Sequence, residues 1–148
     1  MTILQAVVVE MLLWETTDAL PVTITLLDPS IGGFDTIDLG DGDNVGIGGA
    51  YDNTILCGTG NDLMAGDSVE IDFIAASTSP ESITSLDTSI GGNDNTTLGE
   101  GDNIGIGGAS NDHITSGSGR DIVAGDSVCI YFSTADALAK TWCRWIQA

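Results

Sequence analysis

The chain has 148 residues, with 22 Asp and Glu against 3 Lys and Arg, a formal charge of -19. That balance excludes nucleic acid as a partner, because phosphate binding needs clustered Lys and Arg, and it argues against an anionic membrane surface. Disorder is excluded from the other side: 42% of the residues are hydrophobic, so there is apolar surface to bury.

In chain order, residues 1–10 carry no positive n-region, and Glu10 and Glu15 interrupt the apolar run. It is a poor signal peptide and too short for a membrane span, so a chain without a transmembrane segment is expected. Residues 22–26 (Val-Thr-Ile-Thr-Leu) alternate apolar and polar and predict a half-buried strand. A Gly- and Asp-rich tract follows to residue 65. Residues 69–73 (Val-Glu-Ile-Asp-Phe) alternate again, a second Gly- and Asp-rich tract fills 89–124, and residues 128–132 (Val-Cys-Ile-Tyr-Phe) repeat the alternation. In the tail, Leu138, Trp142, Trp145 and Ile146 fall on one helical face, with Ser133 or Thr134 as a cap. A short C-terminal helix is expected there, in competition with a further strand.

The dominant signal is a repeat. Residues 21–73 match residues 80–132 with 31 of 53 positions identical, an offset of 59. Residues 14–20 align weakly with 132–138 at twice that offset. This divides the chain into N-terminal connector strands (1–29), a first module (30–68), a connector coil (69–88), a second module (89–127) and a C-terminal connector or cap (128–148). The chain thus begins and ends inside a connector.

Inside each module a period of nine runs. In the blocks starting at 30, 39, 48 and 57 the sixth position reads Asp35, Asn44, Asn53 and Asp62. In the blocks starting at 89, 98, 107 and 116 it reads Asp94, Asn103, Asp112 and Asp121. The fourth position holds Gly33, Gly42, Gly60, Gly92, Gly101 and Gly119, with Tyr51 and Ser110 as departures. Where Asn replaces Asp at 44, 53 and 103, an Asp precedes it (Asp43, Asp52, Asp102). Gly46 and Gly105 stand where an inward apolar residue is expected, flanked by Val45, Ile47, Ile104 and Ile106.

Glycine permits tight turns and close approach to backbone carbonyls. A carboxylate supplies the hard oxygen that Ca²⁺ prefers, in a shell of 6–8 oxygens. Three residues then make a short strand, so 18 residues describe turn, strand, turn, strand.

The pattern resembles the nonapeptide G-G-x-G-x-D-x-U-x of the RTX family, the hemolysin-type calcium-binding repeats. Gly58-Thr-Gly-Asn-Asp62-Leu-Met64 and Gly117-Ser-Gly-Arg-Asp121-Ile-Val123 match it best. The resemblance implies an all-β fold, a parallel β-roll or β-solenoid of stacked coils, with several Ca²⁺ ions between loops one coil apart. Carried over, Asp35 pairs with the 48–56 block, the 39–47 block with Asp62, Asp94 with Asp112, and Asn103 with Asp121. The expected metal-site residues are Gly33, Asp35, Gly42, Asp43, Asn44, Asp52, Asn53, Gly60, Asp62, Gly92, Asp94, Gly101, Asp102, Asn103, Asp112, Gly119 and Asp121. A 23-residue connector is one coil plus a few residues, so continuous stacking is expected, with about three coils per module. At ~4.8 Å per strand layer this predicts a rod roughly 35 Å long.

Enzyme activity is not expected. His113 is the single histidine, and neither a G-x-S-x-G nor a P-loop is present. Cys57, Cys129 and Cys143 are odd in number, widely spaced, and read as small apolar residues. Two functions remain. One is a calcium-binding structural protein of the cell exterior or surface that folds with calcium and assembles head to tail into a filament, since solenoid ends are open. The other, implied by the resemblance, is an RTX segment of a larger type I-secreted adhesin or toxin.

Overall fold

The computed structural model describes residues 7–9, 23–25, 30–74, 77, 79–132 and 139–142. Among them the protein is all-β, with 14 strands and no helix. In chain order these are β1 (Val7–Val9), β2 (Thr23–Thr25), β3 (Thr36–Gly40), β4 (Val45–Ile47), β5 (Thr54–Cys57), β6 (Leu63–Ala65) and β7 (Val69–Phe73). They continue as β8 (Pro80–Ser85), β9 (Asn95–Thr97), β10 (Ile104–Ile106), β11 (His113–Thr115), β12 (Ile122–Ala124), β13 (Cys129–Phe132) and β14 (Ala139–Trp142). No helix of the described residues is long and apolar enough to cross a membrane.

The nine-residue period becomes an alternation between two parallel sheets. An outer sheet runs β3-β5-β9-β11 and a central sheet runs β4-β6-β10-β12, with β1 added antiparallel beside β4. Thr36 pairs with Thr54, Thr54 with Asn95 and Asn95 with His113. In the central sheet Val45 pairs with Leu63, Leu63 with Ile104 and Ile104 with Ile122. Neighbours are therefore 18 residues apart inside a module and 41 apart between modules. The two modules stack directly on one another.

The connector is not a further coil. Residues 69–85 leave the stack as an antiparallel hairpin, β7 with β8, in which Ile71 faces Ile83. Hairpins from successive repeats join in a third sheet, β2-β7-β8-β13-β14. Its pairings recur at the same offset of 59. Ile24↔Ile71 becomes Ile83↔Ile130, and Ile71↔Ile83 becomes Ile130↔Trp142. Each repeat thus adds two strands to every sheet, which keeps the three in step. The stack is shorter than the sequence reading expects: at ~4.8 Å per strand, a five-stranded sheet is about 19 Å across.

In the tail the strand alternative holds over 139–142, in place of the helix. Ala139–Trp142 is strand β14, occupying the place of Pro80–Ile83 one repeat later. The remainder of the expected helix, residues 133–138 and 143–148, lies outside the described residues, as do Cys143 and residues 14–20.

Apolar burial explains the three layers. Along the central strands, Val45, Ile47, Leu63, Ala65 and Ile106 pack against Val69, Ile71, Phe73, Ile83 and Ile130 of the hairpin sheet. On the opposite face, Met64 packs against Ile37, Ile55 and Leu98 from the outer-sheet side. Strands β4, β6 and β10 are therefore covered on both faces, while Val123 of the edge strand β12 is exposed. This accounts for Gly46: a Cβ there would collide with Met64 and sit 3.1 Å from Leu39. At Gly105 it would sit 2.9 Å from Leu98. The glycines make room for large side chains of the adjoining positions.

Candidate cation-binding site

The loops between the sheets bring the sixth-position residues into two columns. In one, Asp35 N–H donates to Asn53 Oδ1 at 3.2 Å, Asn53 N–H to Asp94 Oδ1 at 2.7 Å, and Asp94 N–H to Asp112 Oδ1 at 2.9 Å. In the other, Asn44 N–H donates to Asp62 Oδ1 at 2.9 Å, Asp62 N–H to Asn103 Oδ1 at 2.8 Å, and Asn103 N–H to Asp121 Oδ1 at 3.0 Å. The expected partners one coil apart are brought together, and both columns also cross the module junction.

The fifth-position residues form exposed columns that run the other way. Asn61 N–H donates back to Asp43 Oδ1, Asn93 N–H to Asp52 Oδ1 and Arg120 N–H to Asp102 Oδ1, each at 2.8 Å. The carboxylate preceding each Asn thus ties loops together at the rim.

Four of the fourth-position glycines, Gly60, Gly92, Gly101 and Gly119, are close-packed, while Gly42 faces open space. Gly42, Gly60, Gly101 and Gly119 have φ of 108°, 144°, 131° and 131°, the left-handed region glycine favours. A Cβ on Gly60, Gly101 or Gly119 would collide with the carbonyl oxygen of the glycine one level below. Tyr51 and Ser110 adopt the same region, with φ of 73° and 81°, so the stack imposes it on residues with a Cβ. Gly92 lies against the Tyr51 carbonyl group, and Gly33 faces the Asp35 carboxylate at the end of the stack.

What sets the Asp levels apart is unmet hydrogen-bonding capacity. Both carboxylate oxygens of Asp35 and the Oδ2 atoms of Asp62, Asp94 and Asp112 are buried with no hydrogen-bond partner. Asp35, Asp62 and Asp94 are 3%, 1% and 2% exposed. A buried carboxylate oxygen without a partner is costly, and it is relieved by a proton or a cation. Backbone carbonyls stand close by. A Cβ on Gly66 would collide with Asp94 Oδ2 and lie 2.7 Å from the Gly107 carbonyl oxygen. On Gly107 it would collide with Asp112 Oδ2 and lie 2.5 Å from the Gly125 carbonyl oxygen.

The Asn levels are satisfied internally. Asn53 Nδ2 donates to the carbonyls of Tyr51, Gly49 and Gly66, at 2.8, 3.1 and 3.3 Å. Asn103 Nδ2 donates to Gly101 at 3.1 Å, and Asn44 Nδ2 to Gly42 at 2.8 Å. An amide N–H₂ there does for the carbonyls what a cation would do beside an Asp.

Burial dominates the electrostatics. It pushes Asp94 up to about 7, with the Asn53 N–H opposing and the Asp112 charge adding. Asp62 and Asp112 are raised for the same leading reason. Asp67 is also pushed up to about 7 by burial, against the N–H groups of Ala109 and Gly92 and with the Asp94 charge. Asp67 lies outside the eight nonapeptides and is missing from the expected site. Its Oδ2 accepts from Ala109 at 2.6 Å and its Oδ1 from Gly92 at 3.1 Å, tying the start of the hairpin to the next module. The signal for it is the recurrence of Gly66-Asp-Ser-Val69 as Gly125-Asp-Ser-Val128.

No family model, curated protein or solved structure matches this chain. The donor set must carry the reading. Among the described residues no three His, Cys, Asp or Glu side chains converge as a metal cluster. Carboxylates are instead strung one per level, and those of Asp94 and Asp112 stand beside main-chain oxygens. An oxygen-only set of this kind fits a hard cation such as Ca²⁺ and not a thiophilic one. Cys57 and Cys129 are free thiols, with Cys129 buried; burial pushes the Cys57 thiol up to about 12, so it is a poor nucleophile.

Proposed function

We propose that the chain is a calcium-binding structural repeat protein of the cell exterior. In this reading the two parallel sheets are a β-roll whose loops hold Ca²⁺ and whose folding depends on it. The observation that carries it is the set of buried, unpartnered carboxylate oxygens at Asp35, Asp62, Asp94 and Asp112, with backbone carbonyls beside those of Asp94 and Asp112. Calcium that binds only the folded chain adds its binding free energy to folding, and it relieves repulsion in a chain of charge -19. Asp35, Asp62, Asp94, Asp112 and Asp121 are the side-chain ligands in this proposal. The Asn levels are bridged by their own amides. Head-to-tail association into a filament follows from sheets that repeat every 59 residues. The same periodicity accommodates the second reading, a calcium-folded segment of a type I-secreted adhesin or toxin, because further repeats in the same chain would extend the stack equally. No catalytic role is assigned; His113 is exposed on the rim, its ring 3.4 Å from Thr115 Oγ1.

Calorimetric titration tests the proposal. Calcium should bind at several sites per chain, and Asp62→Asn and Asp94→Asn should each remove binding. Full stoichiometry in both variants, or no binding heat in the parent, would overturn it.

A further inference from the structure

We infer that the two ends of the stack are docking faces for a second copy of this chain, in the register of the junction between its own modules, and that β1 competes for one of them. This rests on the head-to-tail part of the proposed function and not on its calcium part.

The internal junction is the template. There, the exit loop of the first module offers Asp67 to the Gly92 and Ala109 N–H groups, and Asp94 receives the Asn53 N–H. One repeat later Asp126 holds the place of Asp67. It is exposed, whereas Asp67 is 4% exposed. One repeat earlier Gly33 and Ala50 hold the places of Gly92 and Ala109, and Asp35 that of Asp94. Asp35 is as buried as Asp94, yet neither of its oxygens has a partner. Each end thus carries half of a junction the molecule builds once inside itself.

Placing a second copy by the same offset sets Asp126 against Gly33 and Ala50, and the Asp112 N–H against Asp35. It also puts His113 of β11 beside Thr36 of β3, and Ile122 of β12 beside Val45 of β4. Where the internal junction joins Asn61 to Asp102, the intermolecular one brings Arg120 to Asp43, opposite charges that are both exposed. Arg120 is one of only three basic residues in the chain. The contact uses different faces on the two copies, so it does not close and continues into a filament.

The edge of β4 is not free. β1 lies along it antiparallel, Val9 on Val45 and Val7 on Ile47, where the incoming β12 would pair. Docking therefore displaces β1, and in the third sheet, where this register sets β14 of one copy on the place of β2 of the next, one of those two strands gives way as well; weakening β1 should favour assembly. Proline removes a ladder N–H, so Val8→Pro loosens β1 without touching either docking face.

Sedimentation velocity in calcium, with circular dichroism on the same samples, tests this. The parent should grow with concentration beyond a dimer. Asp126→Ala and Arg120→Glu should keep the parent's β signal and need about tenfold more protein to associate, while Val8→Pro should need about tenfold less, the effect of ~1.4 kcal/mol. Parent-like assembly by both Asp126→Ala and Arg120→Glu would overturn the inference, as would a monomeric Val8→Pro. Assembly without calcium dependence of the β signal would sink the calcium reading and leave the docking faces standing. Calcium-dependent folding of a chain that stays monomeric in every variant would do the reverse.

Discussion

The N–H of Asn53 donates to Asp94 Oδ1 at 2.7 Å across 41 residues of chain, joining the two modules through a carboxylate that is itself 2% exposed. The other oxygen of the same carboxylate has no partner. One atom holds the stack together while its twin destabilises it until a cation or a proton arrives.

Asp94→Asn separates these roles. The Oδ1 acceptor is kept, and the new amide can reach carbonyls as Asn53 does. The calcium-free fold should gain about 1–3 kcal/mol, the cost of an unsatisfied buried group, and depend less on calcium. Asn53→Asp should do the opposite. Urea titrations with calcium and with EGTA check both.

Acidification should help the calcium-free chain. Asp67 and Asp94, raised to about 7, hold protons in the folded state that the unfolded chain has released. Between roughly pH 4, the ordinary carboxylate range, and about 7 the folded state binds more protons, so stability falls as pH rises through that window and stays low above it. Melting in EGTA should show this decline. In calcium the decline should shrink, and calcium affinity should drop below about pH 7 as protons compete.

Thr96 occupies a column of inward isoleucines, Ile37, Ile55 and Ile114, and its Oγ1 is buried without a partner. Thr96→Val removes the hydroxyl at nearly constant shape. It should stabilise the fold by about 1 kcal/mol or more by removing an unsatisfied group, read as a higher urea midpoint at unchanged slope.

Ser110 sits at φ 81° where equivalent loops use glycine. Ser110→Gly should relieve that strain and stabilise by about 1 kcal/mol. A loss of stability would show that the serine side chain outweighs its backbone cost.

Much of this was legible in the chain itself. The nine-residue period placed Asp35, Asn53, Asp94 and Asp112 at corresponding positions, and the offset of 59 paired the modules. The hairpin was not legible from length, because 23 residues fit either one more coil or a β-hairpin. The deciding feature was burial: Val45, Ile47, Ile104 and Ile106 give the central strands a second apolar face, which a two-sheet coil leaves uncovered and the third sheet covers. β14 competed with a helix in the sequence because 139–142 shares no identity with 80–83, although it takes the same pairing. The Asn roles required coordinates, since only the position of Nδ2 shows that it meets backbone carbonyls.

The most direct test of the central claim is far-ultraviolet circular dichroism of the parent chain at pH 8, titrated with calcium and then with EGTA. Calcium-driven folding predicts a weak β signal without calcium, a cooperative gain as calcium is added, and reversal by EGTA. A full β signal in EGTA, unchanged by calcium, would contradict it.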